Sequence, residues 1–238
     1  MTWFDHLFLL TLLIGLPGYA AWHVSRLARR VEVEPSYART DDYRLTIALQ
    51  WTLTLMLLLA WMQAGRPLAD LGLAAPQGAD RFWTIFITAV AVAFFASQAR
   101  TVSRSAAAQA KIRAQLDAQP GVRVILPRTP RELRTFGALA VTAGICEEIL
   151  YRGYLLYYLR LLLPGAAAAI AAIAVFGLAH AYQGRRGILL TGIAGAGAMG
   201  LYLLTGSLAA SIVLHAVVDL ANGFMAYRAL TSTAPPPA

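Results

Sequence analysis

The 238-residue sequence has little cysteine and little charge, and each shortage excludes a class of protein. Cys146 is the single cysteine, so the chain forms no internal disulfide and lacks the thiolates of most structural metal sites. Only 13% of the residues are charged, whereas 58% are hydrophobic and the mean hydropathy is +0.59. This composition is too apolar for an ordinary soluble domain of this length. The composition therefore predicts an all-α protein, a polytopic transmembrane helical bundle.

Two further features are missing from the sequence. The N-terminal residues MTWFDH contain no Lys or Arg, so the first apolar stretch lacks the positive start of a secretory signal and is expected to remain as a helix. The net charge is +8 and the pI is about 10.1, but no basic patch is interleaved with aromatic residues as in RNA-binding modules. We therefore expect the arginines to orient the protein and to meet anionic lipid, with no nucleic-acid partner.

Several apolar stretches approach the roughly 20 residues that are needed to cross a bilayer. The predicted spans are residues 4–24, 44–64, 82–99, 135–160, 164–183, 187–205 and 207–227. Pro17 is expected to kink the first span, and Pro164 with Gly165 separates the fourth from the fifth. The sequence thus predicts about seven to eight membrane helices.

The basic residues are distributed unequally between the two ends of these spans. Sixteen of the 20 lie on one side, in segments 25–44 and 100–134 and at Arg185, Arg186 and Arg228. The other side has Arg66, Arg81 and Arg160. Because positive residues in short loops stay in the cytoplasm, the N-terminus is expected outside and the C-terminus in the cytoplasm. Heavy use of Ala and Arg with one Lys favours a bacterial source, and hence a bacterial inner membrane.

The last four spans hold few residues that are costly in hydrocarbon, and these residues are candidates for a functional site. A charged residue at the centre of a membrane helix costs roughly 2.5–3.5 kcal/mol on insertion scales, so it is a functional candidate by default. The candidates are Glu147, Glu148 and Arg152 in the fourth span, His180 in the fifth, and His215 and Asp219 in the seventh.

Helical spacing separates the two adjacent glutamates. At about 100° per residue, Arg152 lies about 40° around the helix from Glu148 but about 140° from Glu147. Glu148 and Arg152 are therefore expected to pair, which leaves Glu147 on another face without a local partner. The alternative interpretation is one structural cluster of all three charges. His215 and Asp219 are also four residues apart, so Asp219 is placed to orient the His215 imidazole.

The candidate residues suit hydrolysis. A carboxylate and an imidazole can hold and deprotonate water, while other donors stabilise a developing oxyanion. Alternatively, Glu147, His180 and His215 can ligate a divalent zinc ion with an open catalytic position. The HExxH zinc motif is absent, so no cofactor is favoured. A proton-coupled transporter or channel that uses the same ionisable residues as a relay is a non-enzymatic alternative.

Three short motifs resemble those of a known family. EEILYR (147–152) matches Glu-Glu-x-x-x-Arg, FGLAH (176–180) matches Phe-x-x-x-His, and HAVVD (215–219) matches His-x-x-x-Asn/Asp. In this order they resemble the type II CAAX prenyl endopeptidases, also called the CAAX-protease and bacteriocin-processing family, over about residues 125–228. The resemblance implies an intramembrane endopeptidase whose eukaryotic relatives remove the last three residues after a prenylated cysteine. Besides the bilayer, the implied partner is a peptide or lipidated protein substrate.

The resemblance also implies roles for single residues. Glu147 and His180 would activate water, and His215 with Asp219 would stabilise the oxyanion. Glu148, Arg152 and Phe176 would be structural neighbours of these residues. Some relatives have Asn at the position of Asp219, and an ionised Asp cannot donate a hydrogen bond to an oxyanion. Asp219 is therefore expected either to be protonated or to orient His215. Bacterial relatives are tied to peptide maturation, self-immunity or regulation, so a membrane scaffold or bacteriocin-immunity protein without chemistry is a further alternative.

These observations divide the chain into three parts. Residues 1–120 are expected to form N-terminal membrane helices and a cytoplasmic loop, and residues 121–228 a catalytic four-helix core of this family's type. Residues 229–238 are short, polar and proline-rich, and they are expected to be a disordered tail.

Two other patterns have simpler explanations. GAGAMG, residues 195–200, fits a dinucleotide fingerprint but lies inside a span rather than between a strand and a helix. Its small residues favour close helix packing instead. Cys146 precedes Glu147 directly, and adjacent side chains on a helix diverge, so a thiol nucleophile is not favoured.

Overall fold

The computed structural model describes residues 2–34 and 36–232, and every regular element within those residues is helical. The helices are α1 (Trp3–Val33), α2 (Thr40–Gln63), α3 (Gly78–Arg104), α4 (Ala106–Asp117), α5 (Pro120–Ile125), α6 (130–160), α7 (Gly165–Ala179), α8 (Gly184–Thr205) and α9 (Ala209–Thr231). Short 3-10 turns cover Leu68–Leu71 and Ala181–Gln183. Because α9 continues to Thr231, the tail predicted at 229–238 begins as helix, and its residues 233–238 lie outside the described residues.

Among residues 2–34 and 36–232, five helical segments are long and apolar enough to cross a membrane. They are α1, α2, α3, α8 together with the turn before it, and α9. The predicted class, an all-helical polytopic membrane protein, is confirmed. The predicted fourth and fifth spans differ from the others, since α6 carries the charged residues and α7 has only 15 residues.

In the part of the chain that the structure describes, two stretches are wound as π-helix rather than α-helix. The first, Thr11–Gly15, lies inside α1 just before Pro17, whose missing N–H removes one helical hydrogen bond. The second, Glu148–Leu155, forms the middle of α6. π-Helical turns are rare and occur frequently at functional sites. This second segment contains Glu148 and Arg152, and Glu147 directly precedes it.

Helix α6 is the central helix, and it packs between α2 and α9. Every residue of its π-helical segment is buried. Gly144, one turn before that segment, allows the close approach of α9, because a Cβ atom at this position would lie 2.9 Å from the Cβ of Ala216. The resulting contact places the glutamates of α6 beside His215, which precedes Ala216 on α9.

A buried ion pair ties the N-terminal helices to the start of α6. The carboxylate of Glu132 completes a capping box with Thr129 and also accepts a hydrogen bond from the backbone N–H of Arg128, with a distance of 2.6 Å. Its other oxygen accepts from the Arg39 backbone N–H at 2.8 Å and lies 3.4 Å from the Arg39 guanidinium. The Arg39 Nε also donates to the carbonyl of Val124 at 2.6 Å. The loop before α2 is therefore fixed to both α5 and α6.

We expect Glu132→Gln to lower the stability of the protein at neutral pH. Burial opposes ionisation of this carboxyl, but the backbone hydrogen bonds from Arg39 and Arg128 and the Arg39 charge outweigh it and hold the pKa of Glu132 below its usual value. A carboxyl with a lowered pKa stabilises the fold above the unfolded-state pKa, and this contribution is lost as the pH falls through the folded-state pKa. Thermal unfolding in detergent should show a loss of about 1–3 kcal/mol near pH 7.

The difference between wild type and Glu132→Gln should shrink as the pH is lowered from about 7 toward about 3. Glu34→Gln, at an exposed position in the loop after α1, is the matched control and should have little effect at either pH. Equal stability of wild type and Glu132→Gln at neutral pH would show that the Arg39 contact is not formed.

Candidate active site

Side chains from three helices converge on one cavity. Glu147 directly precedes the π-helical segment of α6, His180 is the residue after the last turn of α7, and His215 lies on α9. The Nε2 atoms of His180 and His215 are 3.8 and 4.0 Å from the same oxygen, Oε2 of Glu147. These three side chains are mostly buried, with exposed fractions of 15–17%. The two histidines therefore face one carboxylate oxygen in a site with restricted access to solvent.

The hydrogen bonds of the two imidazoles fix which nitrogen faces Glu147. Nδ1 of His180 is 2.8 Å from the carbonyl oxygen of Phe176, and Nδ1 of His215 is 2.8 Å from Oε1 of Glu148. Carbonyl and ionised carboxylate oxygens only accept, so each Nδ1 carries a proton and donates it. In a neutral ring the lone pair is then on Nε2. Both rings thus present Nε2, as acceptor or as second donor, to the Glu147 carboxylate.

The two oxygens of Glu147 have different surroundings. Oε1 accepts a hydrogen bond of 2.8 Å from the side-chain amide of Gln50 on α2. Oε2 is buried and has no hydrogen-bond partner within residues 2–34 and 36–232. A water molecule that makes hydrogen bonds of about 2.8 Å can join atoms that are separated by the distances between Oε2 and the two Nε2 atoms. Oε2 is therefore the oxygen placed to accept a proton from water.

Glu148 and Arg152 form a buried pair behind the histidines. Oε1 of Glu148 is 3.1 Å from Nη1 of Arg152, and the two side chains are 0% and 3% exposed. The Arg152 guanidinium carbon lies 3.9 Å from the centre of the Phe176 ring, and its Nη2 donates to the carbonyl of Gly195 at 3.3 Å. A Cβ atom at Gly195 would be 2.8 Å from Cδ1 of Phe176, so glycine is needed for this contact. Arg152 thus joins α6, α7 and α8.

Glu148 also has a role that the sequence analysis did not identify. It was placed as a structural neighbour, and Asp219 as the residue that orients His215. In the structure Nδ1 of His215 donates its hydrogen bond of 2.8 Å to Oε1 of Glu148, whereas Oδ2 of Asp219 lies 3.6 Å from Nε2. Asp219 is 38% exposed and stands at the edge of the cavity. The π-helix turns less per residue than an α-helix, so the side chains of the adjacent Glu147 and Glu148 diverge less, and both contact His215.

A single cavity of about 760 Å³ reaches the four candidate catalytic residues. Its walls are mostly apolar side chains of α1, α2, α6, α8 and α9. Gln50 lines the cavity as well. The sequence analysis did not predict this residue, because it took its candidates from the last four spans. The available signal was a lone amide in the middle of an apolar helix. Apolar walls with a few convergent polar groups are typical of a site for a ligand with a large apolar part.

The metal alternative was tested against these residues. Two Nε2 atoms and a carboxylate oxygen are donors of the kind that zinc prefers. Within the described part of the chain, however, no group of three or more His, Cys, Asp or Glu side chains is arranged to hold a metal ion. The donors therefore do not form a metal-binding group as they stand.

The fold and the site define a helical integral membrane protein with carboxylates and imidazoles gathered in one apolar cavity. Comparison with protein families then identifies the segment that carries them. Residues 129–221 match the family model of the type II CAAX prenyl endopeptidase Rce1-like proteins. The resemblance drawn from the three motifs is confirmed, and the matched segment holds Glu147, His180, His215 and Asp219. No curated protein and no solved structure matches the chain.

Proposed function

We propose that the protein is an intramembrane endopeptidase that cleaves its substrate with water activated by Glu147. The observation that carries this proposal is Oε2 of Glu147, which has no hydrogen-bond partner among the described residues and faces the Nε2 atoms of His180 and His215 at 3.8 and 4.0 Å. A buried carboxylate oxygen between two imidazoles is suited to hold a water molecule and to take its proton. The match of residues 129–221 to an endopeptidase family supports the same reaction.

In the proposed reaction, water lies between Oε2 of Glu147 and Nε2 of His180. Glu147 takes a proton while the water oxygen bonds to the carbonyl carbon of the scissile peptide, whose oxygen becomes an oxyanion. His215, held by Glu148 on Nδ1, donates to that oxyanion through Nε2–H when its ring carries the second proton. The carbon–nitrogen bond then breaks, and the amine leaves with the proton that Glu147 received. Asp219, beside Nε2 of His215, supports the charge of that ring.

The proposed substrate is a membrane-associated peptide or lipidated protein that is cut near its C-terminus. The cavity supports this class because its walls are mostly apolar and it connects with the catalytic residues. We also propose, more specifically, that the substrate carries a prenyl group, and the description of the matching family supports this. We further propose a multi-pass protein of a bacterial inner membrane with its N-terminus outside and its C-terminus in the cytoplasm, on the basis of the arginine distribution.

The function can be tested with purified protein reconstituted in liposomes. Quenched fluorescent peptides ending in a farnesylated cysteine and three further residues, and the same peptides without farnesyl, are incubated with the protein, and products are identified by mass spectrometry. We expect cleavage of at least one series. Proton flux across the liposome membrane without any product would instead favour the relay of a transporter. The absence of both cleavage product and proton flux would favour a membrane scaffold or immunity protein.

Removing divalent metals is expected to leave the activity unchanged. The proposed proton transfer uses Glu147 and His180 alone, and the described residues do not form a metal-binding group. Cleavage should therefore persist at the same rate after dialysis against EDTA, and elemental analysis of the active protein should find less than one zinc per chain. A rate that falls with EDTA and returns with added zinc would establish the zinc mechanism at Glu147, His180 and His215 instead.

A further inference from the structure

One residue that touches the proposed general base lies outside the segment that matches the family. Gln50 is in the middle of α2, and its Nε2 donates a 2.8 Å hydrogen bond to Oε1 of Glu147. The matched segment begins at residue 129. The N-terminal helices therefore contribute a direct contact to the site as well as packing around it.

The chemistry of this contact fixes the orientation of the Gln50 amide. An ionised carboxylate only accepts hydrogen bonds, so the amide NH2 must face Glu147 and the amide oxygen must point away. That oxygen, Oε1 of Gln50, is buried and has no hydrogen-bond partner in the described part of the chain. A buried unpartnered acceptor costs about 1–3 kcal/mol. The Gln50 amide thus donates to Glu147 while its own oxygen stays without a hydrogen bond in the described part of the chain. This cost is not expected of an amide that serves only to stabilise the fold.

Packing between α2 and α6 does not depend on this hydrogen bond. Trp51, the next residue, donates through Nε1 to Oγ1 of Thr142 on α6 at 3.3 Å. About one, two and three turns further along, Leu53, Leu57 and Trp61 pack in the same apolar core as the π-helical segment of α6. Removal of the Gln50 amide therefore leaves most of the interface between the two helices in place.

We propose that Gln50 is a positioning residue that holds the Glu147 carboxylate with Oε2 turned toward the two histidines. The proposal rests on the proposed function, because it concerns the geometry of the general base. A carboxylate bound through one oxygen cannot rotate freely, so the second oxygen keeps a fixed position relative to Nε2 of His180 and Nε2 of His215. Misplacement of a catalytic group by about 1 Å can cost on the order of 100-fold in rate.

The test variant is Gln50→Met, which keeps the length of the side chain and removes its hydrogen bonds. With the farnesylated and unmodified peptides, and rates divided by the amount of folded, monodisperse protein, we expect kcat to fall about 10- to 100-fold. KM should change by less than about twofold, since Gln50 acts through Glu147 and not on bound substrate.

Two control variants separate positioning from structure. Trp51→Phe removes the neighbouring hydrogen bond between α2 and α6 without touching Glu147, and Gln63→Met makes the same substitution at an exposed position of the same helix. Both should keep the wild-type kcat. If Gln50→Met keeps the wild-type kcat per folded molecule, or if Trp51→Phe lowers kcat equally, the proposal is overturned.

A second measurement does not require catalysis. A hydrophobic carbodiimide modifies carboxyl groups within membranes, and mass spectrometry of the peptides gives the labelling rate of Glu147. Because the hydrogen bond covers Oε1 of Glu147, labelling should be several times faster in Gln50→Met than in wild type or Trp51→Phe. Equal rates would overturn the inference even if no peptide were cleaved. Absence of cleavage by wild type would contradict the proposed function alone.

Discussion

Glu147→Gln is expected to reduce kcat by a factor of about 10² to 10⁴, the usual contribution of a general base. Glutamine keeps the shape of the side chain, and its oxygen can still accept the hydrogen bond from Gln50. It cannot take a proton from water, because an amide has no basic oxygen at neutral pH. The variant should therefore bind substrate and keep its fold while it loses the chemical step. Cleavage of the fluorescent peptides under saturating substrate measures the effect.

The control for this variant is Glu32→Gln, the same substitution at an exposed position near the end of α1. It should have the wild-type rate. Thermal unfolding of both variants should lie close to that of wild type, which separates a loss of chemistry from a loss of folded protein. Full cleavage by Glu147→Gln would remove Glu147 as the base and would leave the two histidines as the remaining candidates.

Arg152→Met is expected to have the largest effect on stability, a loss of about 3–5 kcal/mol. The substitution removes the guanidinium from the Glu148 carboxylate, which is 0% exposed and keeps the hydrogen bond from Nδ1 of His215. It also removes the guanidinium from the face of Phe176 and the hydrogen bond to the carbonyl of Gly195. Breaking a buried ion pair from one side is costly because the other charge is then uncompensated. Thermal unfolding in detergent should show the change.

A second substitution tests this reason for the loss. Glu148→Gln combined with Arg152→Met removes both charges, so it should be more stable than Arg152→Met alone, although it also weakens the hold on His215. Arg160→Met, at an exposed position near the end of the same helix, is the matched control and should change little. A double variant no more stable than the single one would show that the lost packing on Phe176, rather than the unpaired charge, destabilises the protein.

Much of the site could be predicted from the sequence because polar groups are costly in hydrocarbon. Glu147, His180 and His215 stood out from apolar spans for this reason, and the structure brings them around one oxygen. The i,i+4 spacing predicted the contact of Glu148 with Arg152, and this contact is present at 3.1 Å even though the helix there is a π-helix. These inferences needed only the local spacing of residues and the cost of burying charge.

Other parts of the site depend on contacts that spacing along one helix does not contain. The bond of Glu148 to His215 joins residues 67 positions apart, and that of Gln50 to Glu147 joins residues 97 positions apart. An expected rotation of about 100° per residue placed Glu147 and Glu148 on different faces, whereas in the structure both contact His215 where the π-helical segment begins. The short α7 was predicted as a full span because the apolar pattern continues into the 3-10 turn that follows it.

The contact between Arg39 and Glu132 has a consequence for exchanging parts between related proteins. The family match covers residues 129–221, yet Glu132 within it depends on an arginine 93 positions earlier, and Glu147 on an amide that is likewise upstream. A chimera that joins this segment to foreign N-terminal helices would lose the hydrogen bonds that Arg39 donates to Glu132 and Gln50 donates to Glu147. The unit that can be transplanted is therefore larger than the unit that sequence similarity recognises.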